Sequence, residues 1–343
     1  MFLAAPPPRG AALESEVTGV DKTAMNAHGS RPVLWVVVPC YDEQAVLPVT
    51  SEIFLTKLTD LIAAGKIAEN SRVLFVDDGS DDCTWEIIEA LSLKDEHYLG
   101  IRQSRNRGHQ NALLAGLMEA KDSCDVTVSI DCDGQDDIDA IDRMLEEYAG
   151  GCDVVYGVRS NRDSDTWFKR NAAHFFYKSL NFMSVETVYD HADYRLVSSK
   201  VLKHLADFQE VNIFLRGLIP LVGFKSTSVL YERRPRMAGT SHYSLTKTVG
   251  LAVDGLTSLS TKPISFIAGM GALVGLAGLV GLLKVLVGGM AEQADPGGAL
   301  TIYVVLFLGG IQLLSLGIVG TYVGKTYLET KRRPRYIISE RTY

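Results

Sequence analysis

VTVSIDCDGQDD, residues 126–137, decides how this chain is read. Val126, Thr127, Val128 and Ile130 are β-favouring residues around Ser129, and they run into Asp131, Asp133, Asp136 and Asp137 with Gly134 and Gln135 between them. The pattern predicts a buried strand that ends in an acidic loop. Carboxylates two residues apart at a strand end share one cleft if the strand's alternation breaks there, and Gly134 allows such a turn. Hard oxygen ligands of this kind suit Mg²⁺ or Mn²⁺, which keep several waters and complete their shell from substrate phosphates. One reading is therefore a metal site that holds a diphosphate. The other is a solvated acidic turn, the commoner origin of an isolated D-x-D.

Working outward, the same plan recurs upstream. Val33 to Val38 is a continuous apolar run stopped by Pro39, as expected of a strand buried on both faces of a parallel sheet, and a helical segment follows to about Ala64. Arg72 to Val76 predicts a second strand, Asp77 to Asp81 a polar turn, and Thr84 to Leu93 a helix. A third strand near Tyr98 to Arg102 leads into RNRGHQNALLAGLMEA, a helix announced by Gly108. Alternating strands and helices imply an open, mostly parallel α/β sheet that binds ligands at the carboxyl ends of its strands. Tyr41 to Glu43, Asp77 to Asp81 and Asp131 to Asp137 each follow a strand, so all three loops open on one edge. Taken singly, each is also an ordinary helix-capping loop.

Composition narrows the function. The chain has 343 residues, 34 basic and 41 acidic, for a net charge of −7, which argues against bulk nucleic-acid binding. Its five cysteines, Cys40, Cys83, Cys124, Cys132 and Cys152, contain no C-x-x-C pair and fit a reducing compartment without a zinc site or disulfide framework. His109, His174, His191 and His242 share no metal-ligand spacing and read as ordinary hydrogen-bonding residues. Residues 1–31 carry no hydrophobic period and predict a disordered tail, and Phe2 to Ala5 is too short for a signal peptide.

Four motifs, PCYDE (39–43), VDDGSDD (76–82), RNRGHQNA (105–112) and DCDGQDD (131–137), resemble those of family 2 inverting glycosyltransferases of GT-A fold. YGVRSNR (156–162), FKR (168–170), DHADYRL (190–196) and RRPRMAGTSHY (233–243) narrow the resemblance to the polyprenyl-phosphate glycosyltransferases, the group with dolichol-phosphate mannose synthases and bactoprenol glucosyltransferases. Departures are Gly134 where relatives often have Leu, Asp137 for Pro, Ala192 for Gly, and His242 for Lys. The resemblance implies that Pro39, Tyr41, Glu43, Asp77 and Asp78 line a nucleotide pocket, that Asp131 and Asp133 hold Mg²⁺ or Mn²⁺, and that Gln135 lies near the diphosphate. Arg159, Arg162, Lys169, Arg170, Arg195, Arg233 and Arg236 are candidates for the acceptor phosphate, since Arg suits bidentate phosphate contacts, with Arg159, Arg195 and Arg236 preferred because they fall within the quoted motifs. Asp133, Asp193 and Arg195 make up the catalytic set, with Asp193 orienting a cation or sugar hydroxyl. A phosphate oxygen is already anionic near neutral pH and needs little help from a base. The implied reaction is one inverting displacement.

The C-terminal third predicts membrane attachment. A juxtamembrane amphipathic helix is expected over 241–263, a first span over 264–289 (uncharged from Ile264 to Leu283) and a second over 299–324. Lys325, Lys331, Arg332, Arg333 and Arg335 follow, whereas the connector with Glu292, Asp295 and Pro296 has no Lys or Arg. The positive-inside rule then places the enzyme domain, 32–240, and the basic tail, 325–343, with both termini on the cytoplasmic side of the plasma membrane. The amphipathic stretch Ala173 to Ser184 reads equally as a core face or as a face resting on the bilayer. The expected substrates are a nucleotide sugar, UDP-glucose first, and undecaprenyl or similar phosphate. A homo-oligomer, as in tetrameric members of the resembling group, and a flippase are the expected partners. A processive polysaccharide synthase would carry Q-x-x-R-W, and none of Trp35, Trp85 and Trp167 stands in that pattern.

Overall fold

The computed structural model describes residues 31–160, 191–211, 213–233 and 297–343, with isolated positions in 264–273; at 191–192 and through much of 297–314 it describes the backbone alone. The expected first span (264–289), the amphipathic helices at 241–263 and 173–184, and the tail 1–30 lie outside the described residues.

The predicted alternation forms. Strands β1 (Leu34–Cys40), β2 (Arg72–Asp77), β3 (Tyr98–Gln103) and β4 (Val126–Ser129) are linked through helices α1 (Leu47–Ala63), α2 (Thr84–Lys94) and α3 (His109–Ala120). Helix α4 (Ala140–Ala149), strands β5 (Val154–Arg159) and β6 (His191–Ser198), helices α5 (Ser199–Leu205) and α6 (Leu215–Leu221), and strand β7 (Ser226–Tyr231) follow. The long helix α7 (Gly297–Lys331) and strand β8 (Ile338–Arg341) close the chain. The strands make one eight-stranded sheet in the order β7-β5-β6-β4-β1-β2-β3-β8. β6 runs antiparallel between β4 and β5, and β8 is an antiparallel edge on β3; the other pairs are parallel.

Burial explains why β1 reads as a continuous apolar run. Leu34, Val36, Val38 and Cys40 point into one apolar layer with α1 and α4, while Trp35 and Val37 join α3 and α5 on the other face. Pro39 does not stop β1, contrary to the sequence reading: Pro39 and Cys40 still pair with Val76 and Asp77 of β2. On the other side β4 pairs only as far as Val37, so the missing N–H of Pro39 breaks no rung of the ladder. At Gly116 of α3 an added Cβ would meet Val37 Cγ1 at 2.4 Å, so this helix lies on the sheet at a distance only glycine permits.

The chain's end differs from the expected free tail. α7 runs through the uncharged stretch and seven residues beyond it, to Lys331, and β8 then joins the sheet beside β3. The two carboxylate oxygens of Glu329 accept from Val211 N at 3.0 and 2.9 Å, and Arg335 Nη1 donates to Phe208 O at 2.6 Å, fastening the helix's end to the domain.

Candidate active site

The carboxyl ends of β1, β2 and β4 lie side by side, and their loops are tied together by side chains that cap one another's backbones. Asp42 N donates to Ser80 Oγ (3.0 Å), Asp81 N to Asp42 Oδ1 (3.0 Å) and Glu43 N to Thr84 Oγ1 (2.9 Å). Asp42 takes φ +53°, a conformation that aspartate tolerates better than most side chains. Gly79 has φ +67°, and a Cβ there would lie 2.6 Å from the Arg105 backbone, so the turn after β2 accepts only glycine.

Within this frame Asp77 is fully buried. Its Oδ1 accepts from Ser80 N at 3.0 Å and from Ser80 Oγ, while Oδ2 has no hydrogen bond and lies 3.3 Å from Arg102 Nε. Burial pushes this carboxyl up, against the pull of Ser80 and Arg102. Asp78 receives Arg107 N and Gly108 N at 2.8 Å each, pinning the start of α3, and burial still drives it up to about 6. Asp78 therefore holds the backbone of the pocket. Tyr41 and Glu43 stay half-buried at the rim.

The acidic loop after β4 is held from three sides. Asp133 Oδ1 accepts from Gln135 N (3.0 Å), Tyr231 OH donates to Asp136 Oδ1 (2.7 Å), and Tyr194 OH to Asp137 O (3.0 Å). Asp136, 5% exposed, is pushed to about 6 by burial and by the Asp131 charge. Gln135 Oε1 accepts from Arg233 Nη2 at 2.6 Å, which brings a cation to the loop. Asp131 lies deep in the cleft yet keeps 36% of its side chain exposed, and its Oδ1 is 3.1 Å from His109 Nε2. Burial acts upward on Asp131, but the His109 bond and charge outweigh it and hold the carboxyl below its ordinary value. His109 moves the opposite way: burial lowers it, and Asp131 and Asp193 raise it further than burial lowers it.

Asp193, at the mouth of β6, is the centre of a charged cluster. Arg216 grips it through two bonds, Nε to Oδ1 at 3.1 Å and Nη2 to Oδ2 at 2.9 Å; Arg195 Nη2 binds Oδ1, and Gln110 Nε2 donates to Oδ2 at 3.3 Å. Burial alone would raise this carboxyl, but Arg216, Arg195 and His109 hold it well below the usual range. Such a group stays ionised and is a poor proton acceptor. Arg195 is 0% exposed, its guanidinium wrapped by Asp193 and by Leu215 O. Arg216, on the same carboxylate, is partly exposed, 29% by side chain.

The sequence profile of the family described as "Glycosyl transferase family 2" matches residues 35–206. An uncharacterised glycosyltransferase of Bacillus subtilis, YkoT, is 43% identical over 90% of this chain and 92% of its own. The chain belongs to glycosyl transferase family 2. Another relative, a prophage bactoprenol glucosyl transferase homolog of Escherichia coli, is 35% identical over 88% of this chain and 97% of its own. A more distant fold likeness is to glucosyl-3-phosphoglycerate synthase of Mycobacterium tuberculosis, solved with Mn²⁺, UDP and phosphoglyceric acid: 14% identity, 71% of this chain, 83% of that one, TM-score 0.44.

Of the cations expected near an acceptor in this family 2 protein, Arg159, Arg195 and Arg233 are within the described residues, and Arg233 is the one bonded to Gln135 of the acidic loop. Arg159 stands beside Tyr231 and Asp136, and its buried Nε has no hydrogen-bond partner among the described residues. Arg162, Lys169, Arg170 and Arg236 lie outside them. Among the described residues no three His, Cys, Asp or Glu side chains are placed to hold a metal. Asp131 and Asp133 nevertheless fit a hard divalent cation by donor type, since Mg²⁺ commonly takes one or two carboxylates and completes its shell with water and substrate phosphate. His109, Gln110 and Arg216 were not assigned roles from sequence. The first two stand in the quoted RNRGHQNA motif, in the first turn of a helix that begins at the binding edge. Arg216 is a lone charge in the apolar stretch FLRGLIP, and that isolation was its only signal.

Proposed function

We propose that this protein transfers a hexose, glucose from UDP-glucose in the first instance, to undecaprenyl or a similar polyprenyl phosphate at the cytoplasmic membrane face. The observation that carries the reading is the charge layout of one cleft. Of the two carboxylates for a metal-bound diphosphate, Asp131 and Asp133, the first is linked through His109 to an Asp193–Arg216 pair able to present a cation to a second phosphate. The relatives named bactoprenol glucosyl transferase support a lipid phosphate as that second substrate.

Asp131 and Asp133 would hold Mg²⁺ or Mn²⁺, which supplies charge neutralisation as the nucleoside diphosphate leaves. The chain's own residues do the remainder. The Asp77–Ser80 and Asp78–Gly108 turns shape the nucleotide pocket, and Arg216, fixed by Asp193, orients the acceptor phosphate. An acceptor phosphate oxygen forms the new bond to the anomeric carbon while the bond from that carbon to the diphosphate oxygen breaks, the electron pair leaving with the diphosphate. No proton needs to be removed from an already anionic nucleophile, which agrees with an Asp193 locked in ion pairs.

Membrane attachment is part of the proposal. Among residues described with their side chains, no helix is long and apolar enough to cross a membrane. Helix α7 is 35 residues long, however, and its sequence is uncharged through 299–324, enough to span at about 1.5 Å per residue. A long polyprenyl chain costs roughly 0.8 kcal/mol per CH₂ exposed to water, so the enzyme must work at the bilayer. Membranes containing the protein, given undecaprenyl phosphate, Mg²⁺ or Mn²⁺ and each labelled nucleotide sugar in turn, should yield an acid-labile glycolipid with one donor and none with chelator. No lipid product from any hexose donor would overturn the proposal.

A further inference from the structure

The strand that follows the last helix bears on the nucleotide pocket through one side chain. Arg102 protrudes from β3, next to the edge where β8 docks. Its Nε is 3.3 Å from the otherwise unbonded Asp77 Oδ2, its Nη1 3.4 Å from Glu340 Oε1 of β8, and its Nη2 3.4 Å from Ser80 O; its guanidinium lies over the Trp85 ring, 5.9 Å from the centroid. One face of this arginine therefore meets the carboxylate expected to bind the base, and another meets the C-terminal segment.

Docking of that segment is extensive. Ser104 N donates to Ile337 O (2.9 Å), Thr342 N to Gly100 O (3.0 Å), Gly100 N to Thr342 Oγ1 (2.9 Å) and Ser339 Oγ to Arg102 O (3.2 Å). Arg341 and Tyr343 both hold Glu119 of α3, at 2.7 and 2.9 Å. Gly100 is the one residue that fits between these layers: an added Cβ would lie 2.3 Å from Ile88 and 3.0 Å from Thr342.

We propose that Arg102 is a positioning residue for the donor nucleotide, and that Glu340 of the C-terminal strand holds it in place, so the segment beyond the last helix completes the donor pocket. A fully buried carboxylate with one oxygen lacking a hydrogen bond needs a fixed cation to stay charged and aimed, and Arg102 is the cation in contact with it. Glu340 and the Trp85 face restrict a long side chain that otherwise has many rotamers. The inference rests on the assignment of Asp77 to the nucleotide pocket.

The test uses the full chain in detergent and calorimetric titration with UDP and with GDP. Arg102→Met should raise the Kd of the preferred nucleotide about tenfold. Glu340→Gln should raise it about threefold, within the range of a partly exposed ion pair. The double variant should bind no worse than Arg102→Met alone, because both act through one contact. Arg341→Gln, which removes the pair with Glu119 while the β3–β8 backbone rungs and the Glu340–Arg102 contact remain, should keep wild-type affinity. With transfer activity in hand, the KM for donor should rise in Glu340→Gln while kcat and the KM for acceptor stay put. Wild-type affinity in Glu340→Gln, or fully additive losses in the double variant, would overturn this inference and leave the proposed reaction standing. Failure of the wild type to bind either nucleotide would overturn both.

Discussion

At the scale of single residues, the site separates a wholly buried arginine from a partly exposed one. Arg195 and Arg216 share one carboxylate, but the first is wholly buried and the second is not. Arg195→Met leaves Asp193 with one cation fewer in a dry environment and should lower stability by about 3 kcal/mol, the scale for breaking a buried pair. Arg216→Gln should shift the unfolding midpoint little and, with Arg216 proposed as the cation for the acceptor phosphate, cut transfer about a hundredfold. Thermal unfolding beside a transfer assay checks both, and the reverse pattern would favour Arg195 as that cation. Asp78 gives a pH signature. Its folded carboxyl is raised from 3.8 to about 6, so its favourable contribution is complete below pH 3.8 and is lost as pH rises through 6. Asp78→Asn lacks that loss. The variant's unfolding midpoint, measured against wild type, should therefore move in the variant's favour as pH rises from about 4 to 6.5; a constant difference would refute the assignment.

At the scale of elements, the acidic loop depends on strands remote in sequence. Tyr231 ends β7, and its hydroxyl is what Asp136 receives. Tyr231→Phe leaves a buried carboxylate short of a donor and should cost about 1–3 kcal/mol and loosen the loop that carries Asp131 and Asp133. The expected readout is weaker metal binding, seen as a higher Mn²⁺ concentration for half-maximal rate, with Tyr231→His a partial rescue; unchanged metal titration would count against it. This dependence also explains what the sequence made legible. Strands β1 to β4 and their helices were readable because each is a local apolar run or period ended by a local polar turn, and Asp77, Asp131 and Asp133 fell on one edge by topology alone. Pro39 inside β1, the burial of Arg195 and the arrival of Arg216 at Asp193 were not readable, because each is decided by which strand lies next to which. β6 enters antiparallel between β4 and β5, and no run of residues announces that. Strand β8 escaped for the same reason: RYIISERTY is short and charged, and it becomes a strand only against the open edge of β3.

At the scale of the whole molecule, the return of β8 to the sheet constrains the topology. β7 ends at Tyr231 and β8 begins at Ile338, and both belong to the same sheet, which occupies one side of any bilayer. The chain between them must therefore cross an even number of times. If α7 crosses once, a second crossing is required between 232 and 296, and Ile264 to Leu283 is the uncharged run there long enough to make it. Two crossings put the Glu292–Pro296 connector outside and the Lys325–Arg335 cluster inside, as the basic residues demand; no crossing would leave both on one side. Cysteine accessibility separates these cases with little engineering, because Cys83 is exposed on the catalytic domain while Cys40, Cys124, Cys132 and Cys152 are buried. In intact cells a membrane-impermeant maleimide should label an Asp295→Cys protein and leave Cys83 unlabelled until the membrane is permeabilised. If Asp295→Cys also waits for permeabilisation, the even number is zero, and the two uncharged runs are a hairpin that never enters the bilayer.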